Sequence, residues 1–212
     1  MSVPDKYWMR IKEIFETSNL SEINIDEPYN TDELTVKQKF IDYFTKKGYK
    51  GIGEGRDQIV FLSPRNTVLK VLGLGEEQRQ RAVEDYVKFF EQHQNNPYYP
   101  KIFNSQRFEF EGDSYFLYET EYLLSLPNDE EILDWLETYM NLLSRGSPEE
   151  TQEFVDEGLP AGLTEKDVSG ITAATKEIMD KLSGYQLDLS NIENIRRRKN
   201  GHLVIIDPVS MD

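Results

Sequence analysis

Apolar residues recur at helical spacing in two stretches that open the chain: Tyr7, Ile11 and Phe15, then Phe40, Ile41 and Phe44 in a run that Gly48 ends. From 48 to 73 the pattern shortens to β-rich runs around Gly51, Gly53 and Gly55. Residues 58–62 and 67–72 flank Ser63, Pro64, Arg65 and Asn66, whose types suit a hairpin turn, so three antiparallel strands are expected. A charged helix follows from Glu76 to about Gln92, its apolar stripe being Ala82, Val83, Tyr86, Phe89 and Phe90. More strand is expected at 101–103 and 107–123, broken by a turn at 111–114. Beyond Asn128 the spacing is helical again. One helix starts near Asp129, and a second has Ser147 and Pro148 as cap and first-turn residues. A third opens on Thr164 and Asp167, a capping-box variant, and is stopped by Gly184.

The chain then closes on a hairpin, residues 187–208, in which Asn200-Gly201 separates two strand-like runs. Read as a two-residue type I′ turn, this pair sets a register with Asn194 opposite Asp207, their side chains about 5 Å apart on one face. An amide and a carboxylate so placed can share a hard cation through oxygen. Asp188 lies upstream in the loop that feeds the hairpin. The plainer alternative is that Asn194 caps a strand and Asp207-Pro208 begins a turn.

Composition narrows the function classes. A chain of 212 residues forms one sizeable domain or two small lobes around a cleft. Cysteine is absent, which removes disulfides, thiolate catalysis and cysteine-based zinc sites and fits a reducing cytoplasm. The sequence shows neither an apolar run of membrane-spanning length nor a signal peptide, so no membrane association is expected. Net charge is −15, and residues 129–167 carry 12 acidic against 2 basic side chains. That segment repels nucleic acid and attracts a cationic partner or acceptor; it also reads as a solvated helical face.

A single lysine interrupts the apolar run Val68-Leu69-Lys70-Val71-Leu72. Burying its ammonium requires a partner, and the expected one is Glu84 on the next helix. Glu76 and Glu77 are rivals, and Lys70 also reads as an edge-strand charge that discourages aggregation. The Gly53-Glu54-Gly55 bend lets backbone amides approach an anion.

In combination, these residues resemble the protein-kinase-like fold over residues 48–212. The stretch from Gly53 to Val60 is similar to the family's glycine-rich loop, with Gly53, Gly55 and Val60 matched and Gln58 in place of the third glycine. The resemblance implies an α+β, two-lobe protein divided as a helical extension at 1–47, an upper lobe at 48–123 and a reduced, mostly helical lower lobe at 124–212. It implies Lys70 as the phosphate-binding lysine, Glu84 as its ion-pair partner and the stretch through Glu121 and Leu123 as the adenine-contacting hinge. It further implies Asp188 as catalytic base, Asn194 and Asp207 as magnesium ligands, and ATP with Mg²⁺ as cofactors. The hairpin pattern looks especially like small kinase-like proteins of bacteriophages related to aminoglycoside phosphotransferases, which implies the host cytoplasm as location.

Three features depart from that pattern. Asp188 and Asn194 are six apart, one more than in the family, and Asn191 competes for contacts in that loop. Gln186 stands where many relatives have histidine. The sequence runs only to Asp212, without an activation segment, so ordinary peptide docking is not expected. The leading expectation is a minimal phosphotransferase acting on a hydroxyl, on a host protein or a cationic acceptor. The alternatives are a pseudokinase that binds or inhibits a host partner, and an acidic decoy for a basic surface.

Overall fold

A computed structural model of the chain describes residues 36–54, 58–73, 77–110 and 113–209. The helix expected around Tyr7, Ile11 and Phe15, the glycine Gly55 and the rival acid Glu76 lie outside these residues. The protein is α+β: a five-stranded antiparallel sheet, five helices and a closing two-stranded ribbon among the described residues.

Helix α1 (Val36–Lys46) precedes β1 (Lys50–Glu54), β2 (Gln58–Leu62) and β3 (Thr67–Leu72), and α2 (Glu77–Gln92) leads to β4 (Ile102–Phe110) and β5 (Asp113–Glu121). The strands lie in the order β1-β2-β3-β5-β4. Successive hairpins account for most of this order, and α2 carries the chain across the sheet to its far edge. The β2–β3 turn is the one expected: Asn66 takes a left-handed φ of 63° and donates its amide to Ser63, a conformation asparagine tolerates.

The two faces of the sheet build two cores. On one, α1 lays Phe40 and Phe44 against Phe61, Phe110 and Tyr115, with ring centroids 4.9–5.0 Å apart. Burying each ring contributes on the order of 2 kcal/mol. Helix α1 stops where its spacing predicts. Gly48 turns left-handed at φ 85°, and Tyr49 donates back to the carbonyl of Phe44 in a Schellman-type cap.

On the other face lies the larger core. The α2 stripe expected from spacing (Ala82, Val83, Tyr86, Phe89, Phe90) is buried throughout. It meets α3 (Glu130–Ser144), α4 (Pro148–Asp156), α5 (Glu165–Lys181) and the ribbon β6 (Ile195–Arg197)–β7 (Leu203–Ile205). Asp129 caps α3, and Thr164 caps α5 by accepting the amide of Asp167 while donating its hydroxyl to that carboxylate. Ser147 begins α4 without a side-chain cap bond; Pro148 at the first position starts that helix. Among the described residues no helix is long and apolar enough to cross a membrane.

The connection from α2 to β4 wedges Tyr98 between α5 and the ribbon. Its carbonyl accepts the amide of Ile205 at 2.9 Å, its hydroxyl donates to the Lys166 carbonyl at 2.9 Å, and the phenol end of its ring packs against Gly170. A Cβ at Gly170 would overlap that ring. Gly170→Ala therefore should lower stability by about 1–3 kcal/mol, although alanine is the better helix former. A thermal melt with an unchanged or raised midpoint would show that the ring does not occupy this position.

Candidate functional site

The site is built around Lys70. It sits mid-strand on β3, where Val60 on β2 and Tyr118 on β5 are its neighbours. Its ammonium lies under the sheet, 9% exposed at the side chain, and reaches Asp207 beyond the end of β7. Both carboxylate oxygens accept from it, at 2.6 and 2.5 Å. Tyr86 from α2 donates its hydroxyl to Asp207 Oδ1 at 2.8 Å, Tyr118 adds a longer bond at 3.3 Å, and the two phenols lie 2.9 Å apart. Oδ1 is thus met by three donors and Oδ2 by the lysine alone.

This network sets the charge states. Burial, the largest single influence, pulls the Lys70 pKa down, but the Asp207 charge, Tyr118 and the hydrogen bonds to both together outweigh it and raise the ammonium above its ordinary value. For Asp207, burial pulls upward; the Lys70 charge and the donors overcome it and leave the carboxyl below its ordinary 3.8. Burial, then the Asp207 charge, holds the Tyr86 phenol well above its ordinary value. Tyr118 is raised too, burial exceeding the opposing pull of Lys70. Both phenols therefore stay protonated and donating.

The ion pair expected between Lys70 and Glu84 does not form. Glu84 is buried and pairs instead with Arg107 on β4, Nε to Oε1 at 2.6 Å, with Lys88 at 3.9 Å. The reason is the position of α2, which lies over β4 and β5; Glu84 thus meets the edge strand, whereas Tyr86, half a turn on, reaches the lysine's partner.

The ribbon also differs from its expected form. It pairs Ile195 with Ile205 and Arg197 with Leu203. Arg198 and His202 close the end, Gly201 donates to Arg198 with φ 90°, and Asn200 is not left-handed. This is a three-residue loop with glycine in the left-handed position, which Asn-Gly serves as well as a type I′ turn. The register moves by one residue, so Asn194 lies opposite Ile206 and not Asp207: Ile206 donates its amide to the Asn194 carbonyl at 2.8 Å.

Backbone bonds nonetheless gather the three polar residues. Asp188 donates its amide to the Pro208 carbonyl at 2.9 Å, so Asp207 stands between one residue bonded to Asn194 and another bonded to Asp188. Asn194 spends both amide hydrogens on Asp188, at 2.9 Å to its carbonyl and 3.2 Å to Oδ2, which leaves its own oxygen to accept. Asn191 also donates to Asp188 Oδ2, at 3.0 Å, and caps a 3₁₀ turn at Ile192–Asn194.

Above Asp207 opens a cavity of about 270 Å³, near the lower limit of ligand sites, roughly 300 Å³. Gly53, Val60, Lys70, Glu121 and Leu123 all line it, with Val68, Tyr118, Thr120, Ile206 and Asp207. The Glu121 carboxylate is committed elsewhere: it accepts from the Lys101 amide at 2.8 Å and, at 3.0 and 2.6 Å, from two nitrogens of Arg198. Leu124 and Arg197 exchange backbone bonds at 2.9 Å in both directions, which ties the connection after β5 to the ribbon. No residue of the acidic segment 129–167 is in the cavity lining.

Tyr86, Tyr118, Arg196 and Arg198 are site residues that sequence reasoning missed. Tyr86 was marked only by its position in the α2 stripe, which read as core, and Tyr118 only as part of the strand that leads into the expected hinge. Among the described residues no three His, Cys, Asp or Glu side chains gather into a set able to hold a metal ion by themselves. Comparison with protein-family models and with curated proteins found no match.

The pKa directions fix how this pair contributes to stability. A depressed Asp207 pKa contributes above pH 3.8 and is lost as pH falls through its lowered value; a raised Lys70 pKa contributes below pH 10.5 and is lost as pH climbs through its raised value. Lys70→Met should cost about 3 kcal/mol near neutrality by stranding Asp207. In urea titrations the gap to the parent protein should narrow as pH falls, because burial without the lysine lifts the Asp207 carboxyl and lets it take up a proton, and it should close below pH 3.8. A gap that widened in acid would contradict the pairing.

Proposed function

We propose that the chain is a protein-kinase-like, two-lobe protein that binds ATP with magnesium in this cavity and transfers phosphate to a hydroxyl acceptor. The observation that carries the reading is the meeting of Lys70 and Asp207 at the base of a cavity, with Asp188 and Asn194 bonded to the residues on either side of Asp207. Phosphoryl transfer demands little more than positioning and charge neutralisation, and these residue types supply both.

In this reading Lys70 exchanges its carboxylate partner for the α/β-phosphates, and the connection at Glu121–Leu123 meets the base through its backbone. A magnesium ion suits the residues present. Mg²⁺ is ordinarily held by one or two carboxylates plus phosphates; Asp207 is a carboxylate on the cavity wall, and the amide oxygen of Asn194 is left to accept. The ion would supply charge neutralisation on the phosphate oxygens. Asp188 takes the proton of the attacking hydroxyl, whose oxygen bonds to the γ-phosphorus as the β–γ bridging bond breaks and its electrons leave with ADP. The acidic helices favour a cationic acceptor, such as a basic segment of a host protein.

A second reading, a pseudokinase that binds nucleotide and acts on a partner without transfer, has its own observation. The Asp188 carboxylate already receives both Asn191 and Asn194, and a base so engaged is less free to accept a proton.

Calorimetry with ATP, with and without magnesium, followed by incubation with labelled ATP and basic acceptor proteins, separates these readings. The enzyme requires magnesium-dependent binding and transfer, with Asp207→Ala lowering transfer roughly a hundredfold or more and Asp188→Asn losing transfer while keeping binding. Binding without transfer to any acceptor favours the pseudokinase. Transfer that survives Asp207→Ala would refute the site.

A further inference from the structure

The charges on the cavity wall do not cancel. Lys70 is neutralised by Asp207 and Glu121 by Arg198. The remaining charged side chain in the lining is Arg196, and among the described residues its guanidinium has no ion pair or hydrogen bond. Arg196 is half-buried, so its guanidinium stands at a partly enclosed, largely apolar wall with no side-chain partner among the described residues and is open to a ligand. Its position is also fixed. Arg196 lies in β6 between Ile195, which is buried in the core, and Arg197, which is bonded to Leu124, so it belongs to the end of the cavity beside the connection after β5. The Lys70–Asp207 pair belongs to the other. Ile52 and Val60, from β1 and β2, add apolar surface to the same cavity.

We infer that Arg196 is a ligand-binding residue that stacks its planar guanidinium on the face of the nucleobase. This rests on the nucleotide reading above and adds the residue that recognises the base end. A guanidinium is flat, weakly hydrated and attracted to electron-rich rings, and no acid on the wall is left to hold it. A phosphate-binding role would require it at the opposite end, where Lys70 already serves.

The test measures binding of three probes (ATP with magnesium, adenosine and inorganic tripolyphosphate) to the parent protein and to Arg196→Ala and Arg196→Gln. Glutamine keeps a planar polar group on a shorter stem, which protects the fold, and removes the charge. Stacking predicts that both substitutions weaken ATP and adenosine by the same factor, about tenfold for alanine, and leave tripolyphosphate unchanged. Loss confined to ATP and tripolyphosphate would assign Arg196 to phosphate and overturn the inference. Unchanged affinity for all three would overturn it while leaving the nucleotide reading intact. Failure of the parent protein to bind either ATP or adenosine would overturn both together.

Discussion

The contact between Lys70 and Asp207 is the constraint on which the rest of the architecture turns. An ammonium in the middle of an apolar strand costs several kcal/mol if left bare, and the residue that relieves it comes from far along the chain. Satisfying that lysine obliges the ribbon to pass beneath the sheet. The ribbon in turn fixes Asp188 and Asn194 through backbone bonds on either side of Asp207. Two tyrosines from separate elements complete the carboxylate's shell, so helix, sheet and ribbon meet at one oxygen. The second tie, Arg198 with Glu121, holds the ribbon at the opposite end of the cavity. Between these two neutralised pairs the wall stays open, and its shape follows from where they are placed.

Much of this was legible in the sequence because the relevant forces are local. Helix α1, the α2 stripe, the β2–β3 turn and the Thr164 cap each follow from spacing or turn chemistry within a few residues. The need of Lys70 for a partner was also legible, since polarity inside an apolar run is a local fact. The identity of that partner was not. Choosing between Glu84 and Asp207 depends on which strands α2 crosses, and that follows from the sheet order β3-β5-β4, which brings together segments with no shared sequence signal. Glu84 found a cation, but on the edge strand.

The ribbon shows a different limit. Asn-Gly marks a turn strongly, yet two loop geometries accept it, and they differ by one residue of register. That single step moves Asn194 from Asp207 to Ile206. The arrangement that decides it includes Arg198, whose guanidinium binds Glu121 and the carbonyls of Pro97 and Tyr99 at the mouth of the loop. No rule of turn chemistry contains that information. After the shift, backbone bonds tie Asn194 and Asp188 to the residues on either side of Asp207, and the Asn194 side chain adds its own bonds to Asp188.

The 137 positions that separate the lysine from its carboxylate have a consequence for biosynthesis. Ribosomes add about 5–20 residues per second, so the ammonium is made about 7–30 s before its counterion. Through that interval the sheet hairpins can close, since their pairings are short-range, but the nascent wall must keep its lysine hydrated. Docking the later helices against that wall before residue 207 is made would bury the ammonium without its partner, a cost that disfavours early collapse of the pocket.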